Sequence, residues 1–135
     1  MGYAALISVL FAMGSGALVE AQARTVALDC PAGSTAEERR LYPQICDALA
    51  REVRAALPGV SLKTGASGGG AVLTLNVRSL TDMALVGNLA LRPADGGSAR
   101  SGPVVETSIS DAKINERAVK DFARALVSVS KSIFD

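Results

Sequence analysis

The sequence predicts an α+β protein: a two-layer α/β sandwich in the order β-α-β-β-β-β-α, with a mostly antiparallel sheet and both helices on one face. Three observations predict it. Two segments, one opening near Ser34 and one closing the chain, repeat apolar residues at the three-and-four spacing of a helix face. One short segment before the first helix and four between the helices alternate apolar and polar residues at period two. The polar positions of those strands fall on one side, which implies an antiparallel sheet with one wet face.

Residues 1–23 read as a secretory leader and 24–135 as a single α+β domain. Tyr3 to Val19 holds no charge, and Ala21-Gln22-Ala23 places small residues where a signal peptidase accepts them. Cleavage before Arg24 is expected. The extreme N-terminus, Met1-Gly2-Tyr3, departs from the pattern in having no Lys or Arg. As a retained anchor the stretch is too short, since a span needs about 20 apolar residues and Gly14 and Gly16 interrupt this one. Lipid attachment at Cys30 is disfavoured by Asp29, which stands where a small residue is required.

The first strand is Thr25 to Asp29, ending at Cys30-Pro31-Ala32-Gly33. Ser34-Thr35-Ala36-Glu37 has the form of a capping box and predicts a helix start. Leu41, Ile45, Ala48, Leu49, Val53, Ala56 and Leu57 form that helix's apolar face, with Arg40, Gln44, Asp47, Arg51 and Arg54 opposite. Pro43 either kinks this helix or opens it after a preceding turn, and Pro58-Gly59 ends it. Val60 to Lys63 is a short strand, followed by a flexible hairpin connection from Gly65 to Gly70.

The strand after it puts Leu73, Leu75 and Val77 on one side and Thr74, Asn76 and Arg78 on the other. Thr81-Asp82 turns the chain into a strand with Leu85, Gly87, Leu89 and Leu91 inward, and Asn88 and Arg92 outward. Pro93-Ala94-Asp95-Gly96-Gly97 is a further turn. The last strand carries Val105, Thr107 and Ile109 inward. A second amphipathic helix, capped by Asn115 or Ser110, buries Val119, Phe122, Ala123, Leu126, Val127, Ser130, Ile133 and Phe134. In its exposed side Glu116 faces Lys120 and Arg117 faces Asp121 at helical spacing. The first strand–helix–strand unit is expected as a right-handed crossover and the rest as a meander. In outline this order is similar to small envelope-assembly domains, such as the N-terminal domain of TolB or the lipoprotein of the lipopolysaccharide-assembly machinery, an analogy of architecture that no motif carries.

Composition narrows the function classes. With 49% apolar and 20% charged residues the chain buries a core, and with 4% aromatics that core is aliphatic. A net charge of +1 provides no basic field to recruit nucleic acid or an anionic membrane. After leader removal no integral membrane segment is expected. Cys30 and Cys46 are an even pair, and in an oxidising compartment they predict a disulfide. Their spacing is not that of a redox pair, and without any histidine there is nothing to complete a zinc site.

The absence of histidine also excludes Ser-His-Asp and Cys-His hydrolysis. Ser128-Val129-Ser130-Lys131 matches the Ser-x-x-Lys nucleophile pattern without its companion motifs, and a solvent-facing lysine near a helix end is the simpler reading. Gly65 and Gly70 have Walker spacing, but Ala71-Val72 stand where Lys and Ser or Thr belong.

No catalytic residue, metal or cofactor is therefore assigned. The expected protein is an exported, non-catalytic binding or assembly module of the bacterial cell envelope, periplasmic, with an envelope protein as partner. Its candidate binding face is Thr74, Asn76, Arg78, Asn88 and Arg92, and Arg40, Arg51 and Arg54 form a candidate charged docking face. The alternatives are a small secreted or periplasmic enzyme using carboxylate, Lys or Tyr chemistry, and a secreted inhibitor or effector. The location alternatives are secretion and anchoring through an uncleaved leader.

Overall fold

Alternation at Val26 and Leu28, both buried on the helix side, sets the first strand, β1, at Arg24–Asp29. The computed structural model describes residues 24–64, 70–110 and 113–135. The expected leader, 1–23, the expected hairpin connection over 65–69 and residues 111–112 lie outside the described residues.

The first helix, α1, runs Ala36–Ala56. Its capping box forms one residue later than the sequence suggests, at Thr35 and Glu38 instead of Ser34 and Glu37. Thr35 Oγ1 accepts the Glu38 N–H at 3.1 Å, and Glu38 Oε1 accepts the N–H groups of Thr35 at 3.2 Å and Ser34 at 2.8 Å, with the Ser34 hydroxyl at 3.0 Å. With the cap at Thr35, one carboxylate satisfies two backbone donors and a hydroxyl. Glu37 is left to bond Arg40 at 2.9 Å. The helix continues through Pro43, which is exposed, and forgoes the one bond that a Pro43 N–H would have made to Arg39.

Five more strands follow: β2 Val60–Thr64, β3 Ala71–Leu80, β4 Ala84–Arg92, β5 Arg100–Ser101 and β6 Val105–Ser108. The order across the sheet is β2-β1-β3-β4, with β5 and β6 both on the far edge of β4. The sheet is mixed. β1 runs parallel to β2 and to β3, and β4 runs antiparallel to β3, β5 and β6. This corrects the expectation of a hairpin between β2 and β3: both pair in parallel with β1, on opposite sides of it, and not with each other. The chain after β2 is accordingly no simple meander. Two-residue β5 is also additional to the strands read from the sequence.

The turns follow local chemistry. Thr81 Oγ1 accepts the N–H groups of Met83 and Ala84 at 3.3 and 3.0 Å, closing the β3–β4 connection. After β4, Asp95 Oδ1 accepts the Gly97 N–H at 2.8 Å and Gly96 adopts φ 81°, a conformation open to glycine.

The second helix, α2, spans Glu116–Val129 and is capped by Asn115, whose Oδ1 accepts the Ala118 N–H at 2.9 Å. It stops at Val129, and a 3-10 turn, Lys131–Phe134, carries Ile133 and Phe134 into the core instead of a continued helix. Both helices pack together against one face of the sheet. Between the layers Leu41, Ile45, Leu49, Leu73, Leu89 and Phe122 are fully buried, in a mainly aliphatic core that also takes in Tyr42 and Phe134. Gly87 admits that ring: a Cβ there would lie 3.3 Å from Phe122 Cζ and 2.5 Å from the Asn76 carbonyl oxygen. Cys30, just past β1, is bonded to Cys46 of α1, with Cα atoms 6.4 Å apart. Among the described residues no helix is long and apolar enough to cross a membrane.

Candidate functional site

The face of the sheet away from the helices is assembled by register. Level with one another lie Lys63, Ala27, Val72 and Arg92, from β2, β1, β3 and β4 respectively. The next outward row is Asp29, Thr74, Ala90 and Ser101. Beyond it Asn76 pairs with Asn88, and Val86 pairs with Glu106. Side chains at paired positions share a face, so small and apolar groups occupy the middle of this surface and the charges stand towards its margins.

The structure places the five predicted binding residues unequally. Thr74 is half-buried, while Asn76 and Arg92 are exposed. Arg78 is exposed at an irregularity of β3, where the register with β4 shifts between Val77 and Ser79. Asn88 is only 6% exposed, and its amide donates to the carbonyls of Leu89 and Gly102, each at 3.4 Å. The segment joining β5 to β6 folds over it, so Asn88 braces that segment and is withdrawn from contact with a partner. Arg78 and Arg92 sit at opposite ends of the β3–β4 ribbon, six residues apart along β3, or about 20 Å at the strand rise. They do not converge on one ligand. Asp29, Lys63 and Glu106 share this face as well; alternation alone puts Glu106 outward, and the pairing of β1 with β2 and β3 brings Lys63 and Asp29 onto the same side.

Arg40, Arg51 and Arg54 are all exposed on α1. Arg40 is engaged by Glu37. Arg51 lines a shallow groove of about 320 Å³ between the helices, where Asp47 and Glu116 accompany Lys120. The row is therefore interleaved with carboxylates. Across the same helix pair Glu52 meets Arg124 at 3.7 Å.

Two clefts open at the ends of the sheet. One, of about 420 Å³, lies beside the disulfide between Pro31, Tyr42 and Pro43, with Asp29 and Asp47 in its lining. The other, of about 250 Å³, is walled by Leu91, Pro93 and Ile133, and Arg100 closes it by donating from Nη1 to the Asp135 backbone oxygen at 2.8 Å.

Glu38 and Tyr42 titrate away from their ordinary values, each for a structural reason. The N–H groups of Ser34 and Thr35 hold the Glu38 carboxyl low. Burial, followed by the neighbouring Glu38 carboxylate, pushes the Tyr42 hydroxyl up. Among the described residues no group of three or more Cys, Asp or Glu converges to hold a metal. Ser128 and Lys131 are both exposed, and the helix ends between them. Ala71 and Val72 open a strand, not the helix a phosphate loop feeds.

Neither a known protein family nor a curated protein matches the sequence. Among solved structures the chain is similar to a PelC dodecamer from Paraburkholderia phytofirmans, with a TM-score of 0.56 and 8% identity over 80% of this chain and 86% of that one. At that identity the likeness is one of fold.

Proposed function

We propose that this chain is an exported, non-catalytic assembly module of the bacterial cell envelope, working in the periplasm by binding protein. The observation that carries the proposal is the pairing of a disulfide with a sheet whose two edges carry no further strand among the described residues. A Cys30–Cys46 bond belongs to an oxidising compartment, and unpaired strand edges are ready-made sites for protein association. The fold supports the same reading, because the solved structure it is similar to, PelC, is a dodecamer. Within this proposal residues 1–23 are the leader and 24–135 the working domain. The contacts fall on Thr74, Asn76, Arg78 and Arg92 of the outer face, with the arginines of α1 as a second surface.

The test is made on native material. Mass analysis should give a chain beginning at Arg24 and lighter by two hydrogens than its reduced form. Crosslinking in the envelope should capture a defined oligomer or partner. A cytosolic, full-length chain with both thiols reduced overturns the proposal.

A second reading, a small enzyme, is favoured by one observation. The cleft beside the disulfide brings Asp29, Asp47 and Tyr42 into one lining. Turnover of generic ester, peptide or phosphate substrates that is lost in Asp29→Asn or Asp47→Asn would establish it in place of the first.

A further inference from the structure

The two edges of the sheet carry opposite charges on the same face. Among the described residues β2 pairs with β1 alone, and its outward side chains Ser61 and Lys63 are exposed. At the other edge β6 pairs, among the described residues, with β4 alone, and its outward side chains Glu106 and Ser108 are exposed. The Ser108 hydroxyl donates to Glu106 Oε2 at 3.1 Å and so orients the carboxylate. Lys63 is level with Ala27 and Glu106 with Val86, both on the face away from the helices. Neither Lys63 nor Glu106 has an ion-pair partner among the described residues.

Strand direction completes the match. β1, β2 and β3 run one way, β4 reverses, and β6 reverses again, so β6 runs in the direction of β2. We propose that copies of this chain join head to tail, β2 of one adding in parallel to β6 of the next, with Lys63 against Glu106. This deepens the assembly reading and rests on it.

The register that sets Lys63 opposite Glu106 also sets Leu62 opposite Val105, which continues the helix-side apolar face across the junction. It sets Ser61 opposite Val104, a valine left 47% exposed in the single chain. The two-fold alternatives lack this fit: β2 against β2 offers Lys63 no carboxylate, and β6 against β6 offers Glu106 no cation. An edge lysine ordinarily discourages strand addition. Here it rejects most strands and accepts one bearing an acid at the matching position, which is selection by repulsion as much as by attraction. A head-to-tail interface leaves one free edge at each end, so it propagates until it closes as a ring or extends as a filament.

Charge reversal tests this on the purified, disulfide-bonded protein by sedimentation velocity, with circular dichroism as the check on folding. The unaltered chain should associate. Lys63→Glu and Glu106→Lys, each alone, should weaken association by about tenfold or more, since like charges then face each other. The double variant should restore it, because every junction regains an opposite pair. A chain that stays monomeric at all concentrations, single variants that associate as well as the unaltered chain, or a double variant that stays dissociated overturns the head-to-tail junction. A monomer that still crosslinks to a defined envelope partner overturns the junction while leaving the assembly reading intact. Substrate turnover removes the assembly reading itself.

Discussion

Glu38 shows how much one side chain can settle locally. Its carboxylate takes two backbone N–H groups and a hydroxyl at the start of α1, and those bonds favour the ionised form in the folded chain over the unfolded one. A carboxyl held low in the folded state stabilises the fold above its unfolded titration range, and that contribution is lost as pH falls through the folded value. Glu38→Gln is therefore expected to lower the urea midpoint at neutral pH and to converge with the unaltered protein in acid. Midpoints measured across the acid limb check it; a constant gap at every pH would contradict it. The capping pattern was legible in the sequence, but its register was not. Ser34-Thr35 followed by Glu37-Glu38 supplies two hydroxyls and two acids at the right spacing, and only the three-donor geometry at Glu38 distinguishes them. The burial of Asn88 was illegible for a related reason. Alternation gave its side of the strand correctly, yet its burial comes from the segment around Gly102, which no periodicity announces.

At the scale of elements, β1 depends on the staple that joins its end to α1. Closing a loop of roughly 15 residues stabilises a fold by about 3 kcal/mol in the chain-entropy model, and Cys30 and Cys46 stand 16 apart. Replacing both by alanine, or reducing the bond, is expected to cost about that much in urea unfolding. A loss well under 1 kcal/mol would show that packing alone holds β1 to the helix. The helices themselves were readable because each has a single apolar face: Ile45, Leu49 and Val53 on α1, and Val119, Phe122 and Leu126 on α2, are buried as their spacing requires. The strands were readable in place and facing, but not in direction. Alternation at Val60–Thr64 and Ala71–Leu80 is the same whether the neighbours run parallel or antiparallel, and a glycine-rich connection carries no sign that the strands on either side of it pair with a third.

Taken as a whole, the molecule has one core, and Phe122 is its largest fully buried side chain. It links the layers by resting over Gly87 of β4. Phe122→Ala should remove about 3–5 kcal/mol, a large part of the about 5–15 kcal/mol that holds a domain of this size. The expected result is a markedly lower urea midpoint, or an unfolded chain at 37 °C, with no comparable effect from a surface change such as Lys120→Ala. Function was less legible than fold because it resides in surfaces whose composition is ordinary. Lys63 and Glu106 are unremarkable charges in the sequence; their relation exists once the three strands between β2 and β6 place them on opposite margins of one face.

Because β1 lies inside the sheet, between β2 and β3, it constrains the order in which the protein can be made. Arg24 must wait for Val60, and Val26 for Ala71, before either side of the strand has a companion. A chain emerging amino end first thus presents an interior strand before anything exists to flank it, and loop closure over such distances is slow. Cys46 arrives earlier than both companions, so oxidation can moor the strand to its helix while the rest of the polypeptide is still on its way.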